Sequence, residues 1–178
     1  MSRSNHKFEV IIEIPQGSRN KYEYDHDTQV IRLDRVLHSS VHYPTDYGFI
    51  PETLSEDGDP LDVLVVVYEP TFPGCHLDVR PIGVLRMRDD KGADEKILAV
   101  PTGEPRFDEI RGLDDLSPHW LKEIENFFAT YKLLEEKDTE LLGWDHERAA
   151  RKIIEDACRR HTEQSRRQQQ VVQSASEP

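Results

Sequence analysis

The chain has 178 residues, of which 36% are hydrophobic, and a formal net charge of −12. That length suits one domain with a single sizeable core. That acidity excludes broad binding to nucleic-acid backbones or anionic membrane surfaces, which both need basic surface. The amino terminus is polar, with no apolar signal region, and no apolar run reaches membrane-spanning length. Cys75 and Cys158 lie far apart with no CxxC pair. A reduced, cytoplasmic setting follows from these features.

Phe8 to Ile14 alternates loosely between apolar and acidic residues and stops at Pro15-Gln16-Gly17, a strand followed by a turn that leaves Glu13 near the strand end. Arg19 to Tyr24 and Val30 to Val36, joined across Asp25-His26-Asp27-Thr28, predict a hairpin. Lys21 and Glu23 share a face of its first strand, and Arg35 closes the second with Lys21 nearby across the pair. Two cations so placed are either surface charges or a seat for an anion. His38 and His42 would stand about 13 Å apart in an extended chain and cannot share one zinc there. In the aromatic, irregular stretch Tyr43 to Phe49, Tyr43 and Tyr47 either cap the core or turn their phenols into a cleft.

The most informative stretch is Asp57-Gly58-Asp59-Pro60-Leu61-Asp62, followed at once by Val63 to Val67. Gly58 tolerates positive φ, and Pro60 fixes its own φ and drives Asp59 towards extended backbone, so three carboxylates sit on a stiff turn at the mouth of a β-branched strand. Carboxylates this close repel unless a cation neutralises them, and an all-oxygen set suits Mg²⁺ or Mn²⁺ before Zn²⁺. The alternative is a solvated acidic turn. An EF-hand loop is excluded, because Leu61 stands where an oxygen ligand is needed and the following pattern is strand, not helix.

Pro70 to Gly74 punctuates the chain, and Leu77 to Met87 predicts a strand interrupted by Pro81 and Gly83. A second acidic loop, Arg88 to Lys96, carries Asp89, Asp90 and Asp94 into the strand Ile97 to Val100. Alone it reads as a charged hairpin tip; if its strand neighbours the one after Asp62, the two loops share a cleft. Six or seven short strands up to Val100, with no helical period, predict a small antiparallel barrel. Helices come later. Ser117 and Pro118 form an N-cap and first-turn pair before Leu121, Ile124, Phe128 and Tyr131, and Asp145 caps a last helix with Ala149, Ile153 and Ala157 as its stripe. The fold class is α+β, mainly β with two C-terminal helices. Residues 1–161 form one domain, and 162–178 a frayed helical or disordered tail.

Taken together, these residues resemble the soluble family I inorganic pyrophosphatases in their short prokaryotic form, from about Phe8 to Ile154. Asp57 to Val63 matches the family signature at each position. Glu13-Ile14-Pro15, Asn20 to Glu23, Asp34-Arg35, Tyr43-Pro44, Asp46 to Phe49, Arg80 to Gly83, Lys96, Val100-Pro101, Phe127-Phe128 and Tyr131-Lys132 follow in the family's order. The resemblance implies an OB-like five-stranded barrel, Mg²⁺-dependent hydrolysis of pyrophosphate to two phosphates, and a homohexamer, with Mn²⁺ or Zn²⁺ as substitute ions. It implies that Asp57, Asp62 and Asp94 hold the first metal, that Asp62 bridges to a second, and that Asp89 with Asp94, and Glu13, hold ions arriving with substrate. Lys21, Arg35, Tyr47, Tyr131 and Lys132 would contact phosphates, with Glu23, Tyr43, Asp90 and Lys96 in support.

Asp59 is the first candidate for the base that takes a proton from water, and Asp94 the second. The family commonly follows its Tyr-Lys pair with Asp and then Gly-Lys; here Leu133, Glu136, Lys137 and Asp138 stand instead, so a further phosphate-contacting lysine is not carried over. The competing readings are a metal-dependent phosphoesterase acting on a larger substrate and a non-catalytic OB-type binding module.

Overall fold

The computed structural model describes residues 7–89 and 92–174. In chain order its main elements are β1 (Phe8–Ile14), β2 (Asn20–Asp25), β3 (Val30–Val36), β4 (Asp46–Ile50), β5 (Leu61–Val65), β6 (His76–Asp89), β7 (Gly92–Pro101), α1 (Pro118–Thr130), β8 (Glu140–His146) and α2 (Glu147–Ser174). Strands β1, β4, β5, β7 and β6 lie side by side in that order, and β1 pairs back onto β6, closing a ring of five. The first half of β6 makes that closure, and its second half, Gly83 to Arg88, carries β8. The hairpin β2–β3 is a separate two-stranded sheet with Lys21 opposite Arg35.

One pairing departs from the antiparallel barrel expected of the sequence. β5 and β7 run parallel, with Val63 opposite Ile97, because the long β6–β7 hairpin folds β7 back between β5 and β6. A parallel neighbour needs a crossover rather than a tight turn, and β6 supplies it. Two further expectations are corrected. Residues 140–146 form β8, which the sequence hides because the Leu141-Leu142 run does not alternate and Gly143 sits at a register shift with φ 103°. Asp145 therefore lies in a strand, accepting a hydrogen bond from Arg86, and does not cap α2.

Strand alternation divides the core. Leu61, Val63, Val65, Ile97 and Ala99 face a cluster closed by Ala150, Ile154 and Ala157 of α2. The buried stripe of α2 is thus Ala150, Ile154 and Ala157, with Ala149 and Ile153 half-buried at its edge. Leu64, Leu85, Met87, Leu98 and Val100 face the other way, against Ile124, Phe127 and Phe128 of α1 and Tyr131 just beyond it. Phe127 joins the α1 stripe expected from the sequence, while Leu121 stays half-buried. Pro118 does open α1, but the Ser117 side chain makes no capping bond; its carbonyl accepts from Trp120 N. α2 continues past Thr162 to Ser174, where the sequence suggested a frayed or disordered tail.

Where β1 meets β4, Gly48 is packed so closely that a Cβ there would lie 2.0 Å from Ile11 O, a backbone atom with no room to yield. Gly48→Ala should therefore cost at least about 2–3 kcal/mol or prevent folding. Chemical denaturation of the two proteins checks this; an unchanged midpoint would show that β1 and β4 separate easily.

Candidate active site

The face of the ring that meets α1 also carries the polar chemistry. On β4, Tyr47 and Phe49 share a side; on β5, Asp62 shares the side of Leu64; on β7, Asp94 and Lys96 share the side of Leu98; on β6, Asp89 shares the side of Met87. Since β4, β5, β7 and β6 are successive neighbours, these side chains form one continuous wall. Glu13 enters from β1 at a register shift between Ile12 and Ile14, whose side chains fall into different core clusters. Such a shift re-aims a strand side chain. The β2–β3 hairpin, the Asp57 to Asp59 turn and the segment after α1 complete a cleft of about 580 Å³.

Glu13, Lys21, Glu23, Arg35, Tyr47, Asp57, Asp59, Asp62, Asp89, Asp94, Lys96, Tyr131 and Lys132 all line this cleft. Two residues expected in the site are not seen there. Tyr43 is 2% exposed and packs in the core between Tyr47 and Phe127, so it supports the wall from behind. Asp90 lies outside the described residues.

The sequence reading missed other lining residues: Tyr24, His26, Asp34 and Lys137. Tyr24, His26 and Phe49 pack together in edge-on and tilted ring contacts, centroids 5.0 to 5.4 Å apart, and the spacing Tyr22, Tyr24, His26 was the available signal for an aromatic strand face. Lys137 reaches the cleft because the chain after Lys132 makes a 3₁₀ turn and reverses at Glu136, φ 55°. The departure from the family pattern therefore still brings a lysine to this wall.

Lys96 organises the centre. Its ammonium, 4% exposed, donates to Asp62, to Asp94 Oδ1 at 2.6 Å and to the Tyr47 hydroxyl at 3.1 Å, which uses all three of its donors. Burial works against this charge, but Asp62 and Asp94 outweigh it and hold Lys96 protonated, above the usual lysine range. Three of the other cations are paired too. Arg35 meets Glu135 through Nε at 3.0 Å and Nη2 at 2.9 Å, Lys21 meets Asp34 at 3.2 Å and Glu23, and Lys132 meets Asp89 at 3.2 Å. Glu135, 8% exposed at its side chain, is a positioning group that no local sequence pattern marks.

The carboxylates show the strain of crowding. Burial pushes Glu13 up to about 7, although Tyr24 N donates to its Oε1 at 2.7 Å. Burial also raises Asp57 and Asp94, with Asp59 adding to the first and Asp62 and Asp89 to the second. Burial keeps the Tyr47 phenol well above its ordinary value and raises Tyr131, so both stay protonated as hydrogen-bond donors.

The cleft holds eight carboxylates against five lysines and arginines. Among the described residues no three metal-ligating side chains already converge around a point, and Lys96 stands between two of the best candidates. The donor set nevertheless fits hard cations: all of it is oxygen, several members resist ionising alone, and Asp62 and Asp94 already share one cation.

A ring of strands whose open face presents clustered carboxylates flanked by lysine, arginine and protonated tyrosine offers oxygen donors suited to cations beside donors suited to an anion. The family model described as inorganic pyrophosphatase matches residues 10–162. An inorganic pyrophosphatase of Methanosarcina mazei is 57% identical over 157 residues, covering 88% of this chain and 93% of its own length. One of Synechocystis is 53% identical over 85% of this chain and 90% of its own. The crystal structure of inorganic pyrophosphatase from Thermus thermophilus superposes with a TM-score of 0.86 at 42% identity, covering 91% of this chain and 95% of that one. The chain belongs to the inorganic pyrophosphatase family.

Replacing Lys96 by Met removes the cation between Asp62 and Asp94 and leaves two partly buried carboxylates facing each other. Lys96→Met should lower stability in chelator by about 3 kcal/mol. Added Mg²⁺ should then raise its thermal midpoint further than that of the parent protein. Equal shifts in the two proteins would mean that Lys96 and divalent ions do not neutralise the same carboxylates.

Proposed function

We propose that this chain hydrolyses inorganic pyrophosphate to two orthophosphates, with Mg²⁺ as the working ion. The observation that carries the reading is the charge of the cleft. A pocket with more carboxylates than cations repels a tetravalent anion, yet its walls carry the lysines, arginine and phenols that suit phosphate oxygens. Divalent cations resolve the conflict by inverting the sign of the acidic wall.

In this reading Asp57, Asp62 and Asp94 would hold the first ion, Asp62 would also serve a second, and Asp89, Asp94 and Glu13 would hold those that accompany substrate. When bound, Mg²⁺ supplies Lewis acidity that makes water a competent nucleophile near neutral pH and neutralises phosphate charge. Asp59 takes the proton of the attacking water. It stands on the turn lining the cleft, with its own N–H donating to Asp57 Oδ1 at 3.1 Å, whereas Asp94 is engaged by Lys96. Lys21 and Arg35, opposite each other on the hairpin, grip one end of the substrate, and exchange their present carboxylate partners for phosphate oxygens. Tyr47, Tyr131, Lys132 and Lys137 donate to the oxygens that gain charge as the bridging P–O bond breaks, an interaction strengthened in the transition state. Glu23 orients Lys21, Lys96 holds Asp62 and Asp94 apart, and Tyr43 backs Tyr47.

The same reading takes residues 1–161 as the catalytic unit. It includes a homohexamer, supported by likeness to the prokaryotic members of the family, and a cytoplasmic site of action, in keeping with the free thiols of Cys75 and Cys158. No helix among the described residues is long and apolar enough to cross a membrane.

Phosphate release from pyrophosphate, with Mg²⁺ and with excess chelator, tests the proposal. The parent protein should turn over only with the metal, and should act far more slowly on nucleoside triphosphates and p-nitrophenyl phosphate. Asp62→Asn should lose roughly a hundredfold or more of that activity while remaining folded. Metal-independent turnover, or near-normal rates in Asp62→Asn, would overturn it.

A further inference from the structure

The turn that carries Asp57 and Asp59 is tied to the body of the protein just before it begins. Thr53, 2% exposed, donates through Oγ1 to Ile50 O and accepts from Leu61 N at 2.9 Å, stapling the end of β4 to the start of β5. The next residue, Leu54, is held by α2 at both of its backbone groups. Its N–H donates to Ala157 O at 3.1 Å, and its carbonyl accepts from Arg160 Nε at 2.8 Å. From there the turn's own bonds take over: Ser55 N to Asp59 O at 2.8 Å, Gly58 N to Ser55 O at 3.2 Å, and Asp59 N to Asp57 Oδ1 at 3.1 Å. The turn is therefore a self-bonded unit hung from Leu54.

Its two holders are not equivalent. Ala157 O belongs to the helix ladder of α2, where an interior carbonyl already has an N–H four residues on, so its bond to Leu54 is a shared one. Arg160 is a side chain committed to Leu54, and a charged donor makes the stronger bond. Arg160 also lines a small cavity of about 50 Å³ together with Glu56, Asp57, Asp62, Asp94 and Glu95. Of these carboxylates, Asp62 and Asp94 need no such help. They stand on β5 and β7, which are locked together by their own ladder.

We infer that Arg160 is a positioning residue of the cation site, holding the turn so that Asp57 meets Asp62 and Asp94 around one ion. The inference rests on the metal-dependent reading above, and extends it to a helix that contributes no ligand. It links the last family-matched turns of α2 to the geometry of a loop about 100 residues earlier, the separation being that of the Arg160 to Leu54 bond. A ligand displaced by a small pivot weakens the ion's binding, whereas the strand-borne ligands stay where they are.

The test uses the full chain and Mn²⁺ alone as probe, with free Mn²⁺ read by electron paramagnetic resonance in the absence of substrate. Arg160→Met keeps the aliphatic stem and loses the donor, and should weaken the tightest Mn²⁺ site by roughly tenfold. Arg160→Lys, whose ammonium can still reach Leu54 O, should recover most of that loss. In an Asp57→Asn background the Arg160→Met change should cost less than about twofold, because the ligand it positions is already gone. In turnover, Arg160→Met should raise the half-saturating Mg²⁺ concentration and regain its kcat at high Mg²⁺, with the KM for pyrophosphate unchanged. Parental Mn²⁺ affinity in Arg160→Met, or an equal loss in both backgrounds, would overturn the inference and leave the pyrophosphatase reading intact. A parent protein that binds Mn²⁺ but does not hydrolyse pyrophosphate would overturn that reading and leave the positioning role standing.

Discussion

The parallel pairing of β5 with β7 is the constraint on which the site depends. With Val63 opposite Ile97, Asp62 comes within reach of Lys96, and Lys96 within reach of Asp94. Two acidic segments more than thirty residues apart in the chain thereby become one wall. A register slip of a single residue would send either Asp62, or Asp94 and Lys96 together, to the opposite face, into the apolar cluster under α2. The hydrophobic alternation that forbids that slip is the same alternation that builds the core. Stability and site geometry therefore share one register.

Electrostatics then set what the wall can do. In water, carboxylates at this density would be merely repulsive; partly enclosed, several of them are held reluctantly ionised, Glu13 up to about 7. Lys96 meets part of that need, and its full set of donors is spent doing so. On the opposite side of the cleft Lys21 is balanced by Asp34 and Glu23, which keep access to water and so are not left buried when a phosphate oxygen replaces them, whereas Glu135 and Asp89, the partners of Arg35 and Lys132, are nearly buried. On the proposed reading, the water-accessible ion pairs of Lys21 are the ones that a ligand displaces.

Much of this was readable from the residues. The turn at Asp57 to Asp62 announced itself through Gly58 and Pro60, and the hairpin through Asp25 to Thr28, because local backbone preferences decide both. The facing of Lys21 and Arg35 followed from that hairpin. What escaped was what tertiary packing decides. β8 was hidden because its Gly143 bulge breaks alternation, and with it the start of α2 was mistaken, shifting the helix stripe by one position from Ala149 and Ile153 to Ala150 and Ile154. Glu135, Lys137 and Arg160 owe their places to a reversal at Glu136 and to helix docking, and no local spacing marks them. The parallel β5–β7 pair lies in the same category, since it is a property of how β6 crosses over.

The proposed activity requires divalent ions to draw Asp57, Asp62 and Asp94 together and so make an acidic cleft receptive to a small polyanion. Anomalous X-ray scattering from crystals grown with Mn²⁺ tests it most directly. Anomalous peaks within coordination distance of Asp57, Asp62 and Asp94 oxygens are the expected result; saturating Mn²⁺ with no peak anywhere in the cleft would contradict it.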